Sequence, residues 1–299
     1  MITNTLPWPR LLLAIAVMAV WGTNFVIIEI ALEQLPPLLL ASLRFSFAFL
    51  PLAIFLPRPK VRWRILALYG VLIGVGQFGV LFIAMGDDIT PGLASLVVQT
   101  QIFFTIALSM RLTGERVRRY QLIALLIASA GLVVILVNAN GSATPLGVAL
   151  VLFAAASWAG GNIVARQAGP VNMLGFVVWA SVFAVPPLIT LSLIFEGWEA
   201  IYQGVTGANA VTWAAVLWQT VGNTMFGYAA WGFLLARYPA ALVTPLALLV
   251  PVFGMGASAL FLGEPMQVWK LTAAALVLAG LALNLTWPLL ALRRTTPTL

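Results

Sequence analysis

"QFGVLFIAMGDDITPGLASL", residues 77–96, can be laid over "MFGYAAWGFLLARYPAALVT", residues 225–244. Phe78-Gly79 falls on Phe226-Gly227 and Pro91 falls on Pro239, both at an offset of 148. Further along, "TGERVRRYQLIALLIASAGL" (113–132) matches "LGEPMQVWKLTAAALVLAGL" (262–281) at an offset of 149. There Gly114-Glu115 pairs with Gly263-Glu264, and Ala130-Gly131 with Ala279-Gly280. "SWAGGNIV" (157–164) is a looser echo of the segment around Trp21 and Asn24. Self-similarity at a fixed offset means a fold built from repeated units. The expected division is therefore 1–140 and 141–299.

The composition says where such a fold can exist. Hydrophobic residues make up 62% of the 299 and charged residues 8%, against about 25% charged in an ordinary soluble domain. A chain this poor in charge cannot clothe a water-facing surface, so it is expected to be an integral membrane protein. Histidine and cysteine are absent, which removes disulfides, thiol nucleophiles, imidazole bases and the usual zinc sites. No HExxH, P-loop or nucleophile elbow is present. No catalytic residue, metal or cofactor is expected. The first apolar run is too long for a cleaved signal peptide and is expected to remain as a span.

A spanning helix needs roughly 20 apolar residues. Ten runs qualify: about 11–32, 36–56, 64–86, 91–112, 119–138, 145–168, 173–195, 211–236, 239–262 and 267–290. The loops between them are short, so function has to lie within the bundle. With the N-terminus inside, the inner segments hold Arg10, Arg58, Lys60, Arg62, Arg64, Arg111, Arg116, Arg118, Arg119, Arg166, Arg237, Arg293 and Arg294. The outer ones hold Glu33, Asp87, Asp88, Glu196, Glu199 and Glu264. Of the basic residues, Arg44 and Lys270 alone break the pattern. Excess Lys and Arg mark cytoplasmic loops, so the net charge of +7 reads as topology rather than as affinity for nucleic acid. Both termini are expected in the cytoplasm. Five spans per half is an odd number, so the halves have to be inverted relative to each other, an architecture of many transporters with the site near the midplane. The fold class expected is an all-α membrane protein of ten transmembrane helices in two inverted five-helix repeats.

"AVWGTNFV" (19–26), "ASLRF" (41–45), "PGLASLV" (91–97) followed by Gly114-Glu115, and "SWAGGNI" (157–163) resemble the EamA family of the drug/metabolite transporter superfamily. The likeness runs through nearly the whole chain and through both repeats. "PLLLASLRFSFAF" (37–49) and "LASLVVQTQIFFTI" (93–106) resemble bacterial inner-membrane exporters of amino acids and their metabolites, among them cysteine, O-acetylserine and aromatic amino-acid exporters. The resemblance implies a ten-helix exporter in the cell inner membrane, with a central cavity working by alternating access. Its expected partners are a small-molecule substrate and the lipid bilayer, and the chain is expected to act as a monomer or weak oligomer. A proton-coupled drug or metabolite efflux carrier is the alternative. An intramembrane enzyme or a channel stands further off.

Polar side chains deep in a span cost free energy unless they find partners or water. Asn24, Gln77, Gln99, Gln101, Asn162, Gln219 and Asn223 form a band near mid-span by count. Amides donate and accept, as a zwitterion requires; interhelical hydrogen bonding is the other role open to each. Trp8, Trp63, Trp198, Trp213, Trp269 and Trp287 lie at span ends and read as the interfacial belt. Trp21, Trp158, Trp218 and Trp231 lie deeper, either walling an apolar pocket or facing lipid, and Tyr228 can add a hydroxyl. Arg44 lies well inside a span, open to snorkelling, to pairing with Glu29 or to meeting a substrate carboxylate. The residues expected at the substrate site are Trp21, Asn24, Arg44, Gln77, Phe78, Gln99, Trp158, Asn162, Asn223 and Tyr228. Of the eight carboxylates only Glu29 lies within a span, so movement down the substrate's own gradient is expected. Gly70-x-x-x-Gly74, Ala124-x-x-x-Ala128 and Ala275-x-x-x-Ala279 are expected at close helix contacts, and Pro186-Pro187, Pro245 and Pro251 at kinks.

Overall fold

A computed structural model describes residues 6–114, 117–138, 143–263 and 267–295. Glu115, Arg116 and Glu264 lie outside the described residues, as do the side chains of Lys270, Arg293 and Arg294. Helical segments follow one another as α1 Trp8–Leu32, α2 Pro37–Phe49, α3 Trp63–Asp87, α4 Pro91–Leu112, α5 Arg119–Asn138, α6 Pro145–Gln167, α7 Met173–Phe195, α8 Gly197–Gly207, α9 210–235, α10 240–261 and α11 Val268–Thr295. Among the described residues the only β pairing is one isolated bridge, Ile89 to Ala143. Among the described residues, six helices are long and apolar enough to cross a membrane, namely α1, α3, α4, α6, α7 and Thr244–Phe261 of α10.

Local chemistry explains the helix starts. Pro37, Pro91 and Pro145 open α2, α4 and α6, where a missing N–H costs nothing because the first turn has no intrahelical acceptor for it. The side chains of Thr144, Asn172 and Asn209 accept from backbone N–H groups of Gly147, Gly175 and Val211 to cap α6, α7 and α9. The start of α2 is satisfied from elsewhere: the Glu196 carboxylate accepts from the N–H groups of Leu38 at 2.5 Å and Leu39 at 3.0 Å, and from the Ser192 hydroxyl at 2.6 Å.

Two boundaries differ from the sequence pattern. The second span was expected over 36–56, but α2 ends at Phe49 and the chain turns through 50–56. Pro51 has no N–H with which to continue the helix. The segment 197–207, expected as an outer loop, is the short helix α8.

The expected repeats have structural counterparts at the same offset. The middle of α3, Val71–Gly79, and the middle of α9, Gln219–Tyr228, both widen into π-helix. Both α4 and α10 tighten into a 3₁₀ turn, at Val98–Thr100 and Thr244–Leu248. Gly114 and Gly263 both take left-handed backbone, with φ of 67° and 68°, just beyond the ends of α4 and α10, a conformation that glycine adopts without a Cβ clash. Packing is paired in the same way. α1 packs on α10 as α6 packs on α4; α1 meets α9 as α6 meets α3; α2 meets α9 as α7 meets α3. α2 also pairs with α7, and α5 with α11.

Small residues set the closest approaches. A Cβ on Gly70 would stand 2.1 Å from the Ala180 carbonyl oxygen, and one on Gly74 would stand 2.2 Å from Ala184 Cβ, so α3 and α7 touch nearly backbone to backbone. Against α5, the expected Ala275 and Ala279 are exposed. α11 instead turns Gly280 to Ala124 and Ala128 and buries Ala273. The outward faces carry large apolar side chains, such as Leu122, Leu126, Val133 and Val137 on α5 and Leu193, Ile194 and Phe195 on α7. These faces suit hydrocarbon rather than water.

Candidate functional site

A small cavity of about 30 Å3 lies where α1, α3, α4, α6, α9 and α10 converge. That is room for about one or two waters, so a larger guest is admitted only as the walls move apart. From α1 come Trp21, Asn24, Phe25 and Ile28, four positions on one helical face. The π segment of α3 contributes Gln77 and Phe78, with Leu81 a turn on. Val98 and Gln99 come from the tightened turn of α4, Trp158 from α6, Asn223 and Tyr228 from the π segment of α9, and Val250 from α10. The cavity is therefore ringed by backbone that departs from α geometry. Such departures re-aim side chains within a helix.

Aromatic rings build its floor. Trp21 stands edge-on to Trp158 with centroids 5.2 Å apart, and lies 5.0 Å from Tyr228 and 5.3 Å from Trp231. The indole nitrogen of Trp21 presses on Gly227, where a Cβ would come within 2.2 Å of it. Phe78 links this cluster to Phe82 and Phe45.

Polar side chains here are buried, and their partners orient them. The Tyr228 hydroxyl donates to Gln77 Oε1 at 2.9 Å. Gln99 Nε2 donates to the Ser95 carbonyl at 3.0 Å, leaving Oε1 without a protein partner. Asn24 Oδ1 and the indole nitrogens of Trp21 and Trp158 are also buried without a partner. Unmet polar groups in an apolar medium cost up to several kcal/mol each. Four of them around one cavity suit a cavity that takes a polar guest or water.

Eight of the ten residues expected at the site, Trp21, Asn24, Gln77, Phe78, Gln99, Trp158, Asn223 and Tyr228, line this one cavity. The other two stand behind its wall. Asn162 donates to Gln101 Oε1 at 3.0 Å and Thr105 Oγ1 at 3.1 Å, and accepts from Trp231 Nε1 at 2.9 Å, so it ties α4, α6 and α9 together. Arg44 is fully buried and spreads its guanidinium over three neutral acceptors of α9: Thr224 Oγ1 at 2.6 Å, Gln219 Oε1 at 3.0 Å and Asn223 Oδ1 at 2.7 Å. Its Cζ lies 3.5 Å from the Phe78 ring centroid. It neither snorkels nor pairs with Glu29. α2 turns it toward α9, whereas Glu29 faces a separate cleft with Asp87 and Asp88 near the end of α3. Of the four deep tryptophans, Trp218 is 40% exposed and points outward. Phe25, Ile28, Leu81, Val98 and Val250 were missed as lining residues. Helical spacing from Trp21 could have found the first two, but the apolar residues of the other helices look like any span-filling residue.

A family model described as the EamA-like transporter family matches twice, over residues 8–137 and 145–286. A probable amino-acid metabolite efflux pump of Salmonella typhimurium is 40% identical, over 91% of this chain and 93% of that protein. Its namesake in Escherichia coli is 37% identical over the same shares. A solved crystal structure superimposes with a TM-score of 0.74 at 20% identity, covering 94% of this chain and 99% of that one.

Proposed function

The chain belongs to the EamA-like transporter family and is a multi-pass membrane transporter, and from that premise we propose that it exports amino acids and related small metabolites across the cell inner membrane. The observation that carries the reading is the small central cavity shared by both halves of the chain, walled by aromatic rings and by amides with unmet hydrogen-bonding capacity. The names of the relatives at 40% and 37% identity support the substrate class.

The mechanism proposed is alternating access by ten spans in two inverted repeats, 1–140 and 141–299, with both termini cytoplasmic. Support comes from the doubled family match, from the recurrence of π and 3₁₀ segments at one offset, and from the paired helix contacts. In that orientation Trp231, Asn162, Gln101 and Thr105 form a bonded layer on the cytoplasmic side of the cavity. Substrate enters from the cytoplasm when that layer parts and leaves when the outer side opens, two openings related by the pseudo-symmetry. Net movement runs down the substrate gradient, because among the described residues no carboxylate lines the cavity to carry a proton with it.

Counterflow in proteoliposomes tests this. Preloading with an unlabelled L-amino acid should accelerate entry of the same labelled amino acid, saturably, for at least one of the twenty. An imposed pH gradient with the membrane potential clamped should not concentrate it. Absence of counterflow with all twenty rejects the substrate class, and pH-driven accumulation lost in Glu29→Gln rejects downhill movement.

A further inference from the structure

Arg44 is a buried cation whose described polar partners are all neutral, in a part of the protein where an uncompensated charge is expensive. One aromatic ring, Phe78, separates it from the cavity. Two amides facing that cavity are held in one sense by partners of unambiguous polarity. A guanidinium only donates, so Arg44 fixes Asn223 with Oδ1 turned to it and the NH2 group left over. A backbone carbonyl only accepts, so Ser95 fixes Gln99 with the NH2 group engaged and Oε1 left over.

We propose that these contacts polarise the cavity and select a zwitterionic α-amino acid with an uncharged side chain. The α9 side, with the Asn223 NH2 group and the Arg44 charge behind it, takes the carboxylate. The α4 side, with Gln99 Oε1, takes the ammonium. Asn24, whose Oδ1 is unpartnered, adds a second acceptor from α1. The side chain of the substrate lies against Phe25, Ile28, Leu81, Val98 and Val250, where no charged group could answer a charge. Arg44 is a positioning residue in this scheme: it orders Asn223 and supplies the counter-charge through the Phe78 ring without touching the substrate. Fields from a fixed charge act strongly in a low-dielectric site.

The assignment rests on the amino-acid reading above, and end-group analogues separate the two. The probe is the labelled neutral L-amino acid with the fastest counterflow in wild-type proteoliposomes. Its competitors are its methyl ester, which lacks the carboxylate, and its N-acetyl form, which lacks the ammonium. Wild type should prefer the parent over either analogue by at least about tenfold, as sites built to hydrogen-bond a group reject ligands lacking it. Arg44→Met should lower the preference over the methyl ester by about tenfold while keeping the preference over the N-acetyl form, and Arg44→Lys should restore part of it. Gln99→Glu, which adds a negative charge on the ammonium side, should raise the preference over the anionic N-acetyl form and lower that over the cationic ester. A merely structural Arg44 would move both preferences together or only the melting temperature. If Arg44→Met does not fold, Asn223→Ser and Gln99→Glu carry the same two comparisons. Equal competition by parent and ester in wild type, or equal change in both preferences in the variants, overturns the polarity while leaving amino-acid transport standing. If no amino acid gives counterflow, both readings fall.

Discussion

Gly227 and Trp21 show how far a single atom controls the site. The glycine allows the indole of α1 to lie directly on the backbone of α9. A Cβ there would overlap the indole nitrogen, at 2.2 Å, and the indole itself is boxed by Trp158, Tyr228 and Trp231. Gly227→Ala is therefore expected to cost about 1–3 kcal/mol by overpacking and to reduce counterflow more than tenfold by displacing Trp21, roughly what a misplaced binding group costs. Normal transport with an unchanged melting temperature would refute the close approach. Asn162 makes the opposite prediction. Behind the wall, it satisfies the Trp231 indole and two α4 side chains. Asn162→Leu keeps the volume but orphans a buried donor, at a cost of about 1–3 kcal/mol. The detergent-solubilised melting temperature should fall while the half-saturating substrate concentration stays within about twofold, since no lining contact is lost. A large change in that concentration at constant stability would place Asn162 in contact with bound substrate rather than in the layer behind it.

At the scale of elements, the cavity depends on helices that interrupt themselves. A continuous α-helix would carry Gln77 and Asn223 past the centre on a steady spiral; the π stretches instead hold Gln77 and Phe78 beside one another, and Asn223 with Tyr228, on the inner wall. α2 depends on α7 for its first turn, because Pro36 and Pro37 offer no capping side chain and the Glu196 carboxylate takes that place. Glu196→Ala should destabilise the protein by about 1–2 kcal/mol, the usual loss for a helix cap, read as a lower melting temperature. If melting is unchanged, the first turn of α2 finds water or lipid headgroups instead. Because α2 also carries Arg44, the same variant tests whether the ends of that helix govern the cavity wall.

For the whole molecule, the charge bias and the proposed inversion of the halves make one prediction about topology. In this chain without cysteine, Lys60→Cys should react with a membrane-impermeant maleimide only from the cytoplasmic side, and Asp87→Cys only from outside. Labelling of both from the same side would reject five spans per half. The two positions bracket α3, so the pair also tests whether Trp63–Asp87 crosses once.

The membrane class, the family, the doubled family match and the six long apolar helices were legible along the chain, because each is a statement about local composition. An apolar run, a basic loop or a recurring Phe-Gly keeps its meaning wherever it ends up in space. The polar band near mid-span was legible for the same reason: an amide among apolar residues stands out. What each polar group faces was decided only by tertiary structure. Asn24 and Asn162 look alike in sequence, yet one opens into the cavity and the other bonds Trp231. Trp158 and Trp218 look alike, yet one is 3% exposed and the other 40%. The partner of Arg44 was open to Glu29 by depth alone, and helix rotation gave it to α9. Depth in the bilayer is counted in residues, but facing depends on the rotation and packing of six helices at once, and a π turn shifts that rotation without leaving a mark in hydropathy.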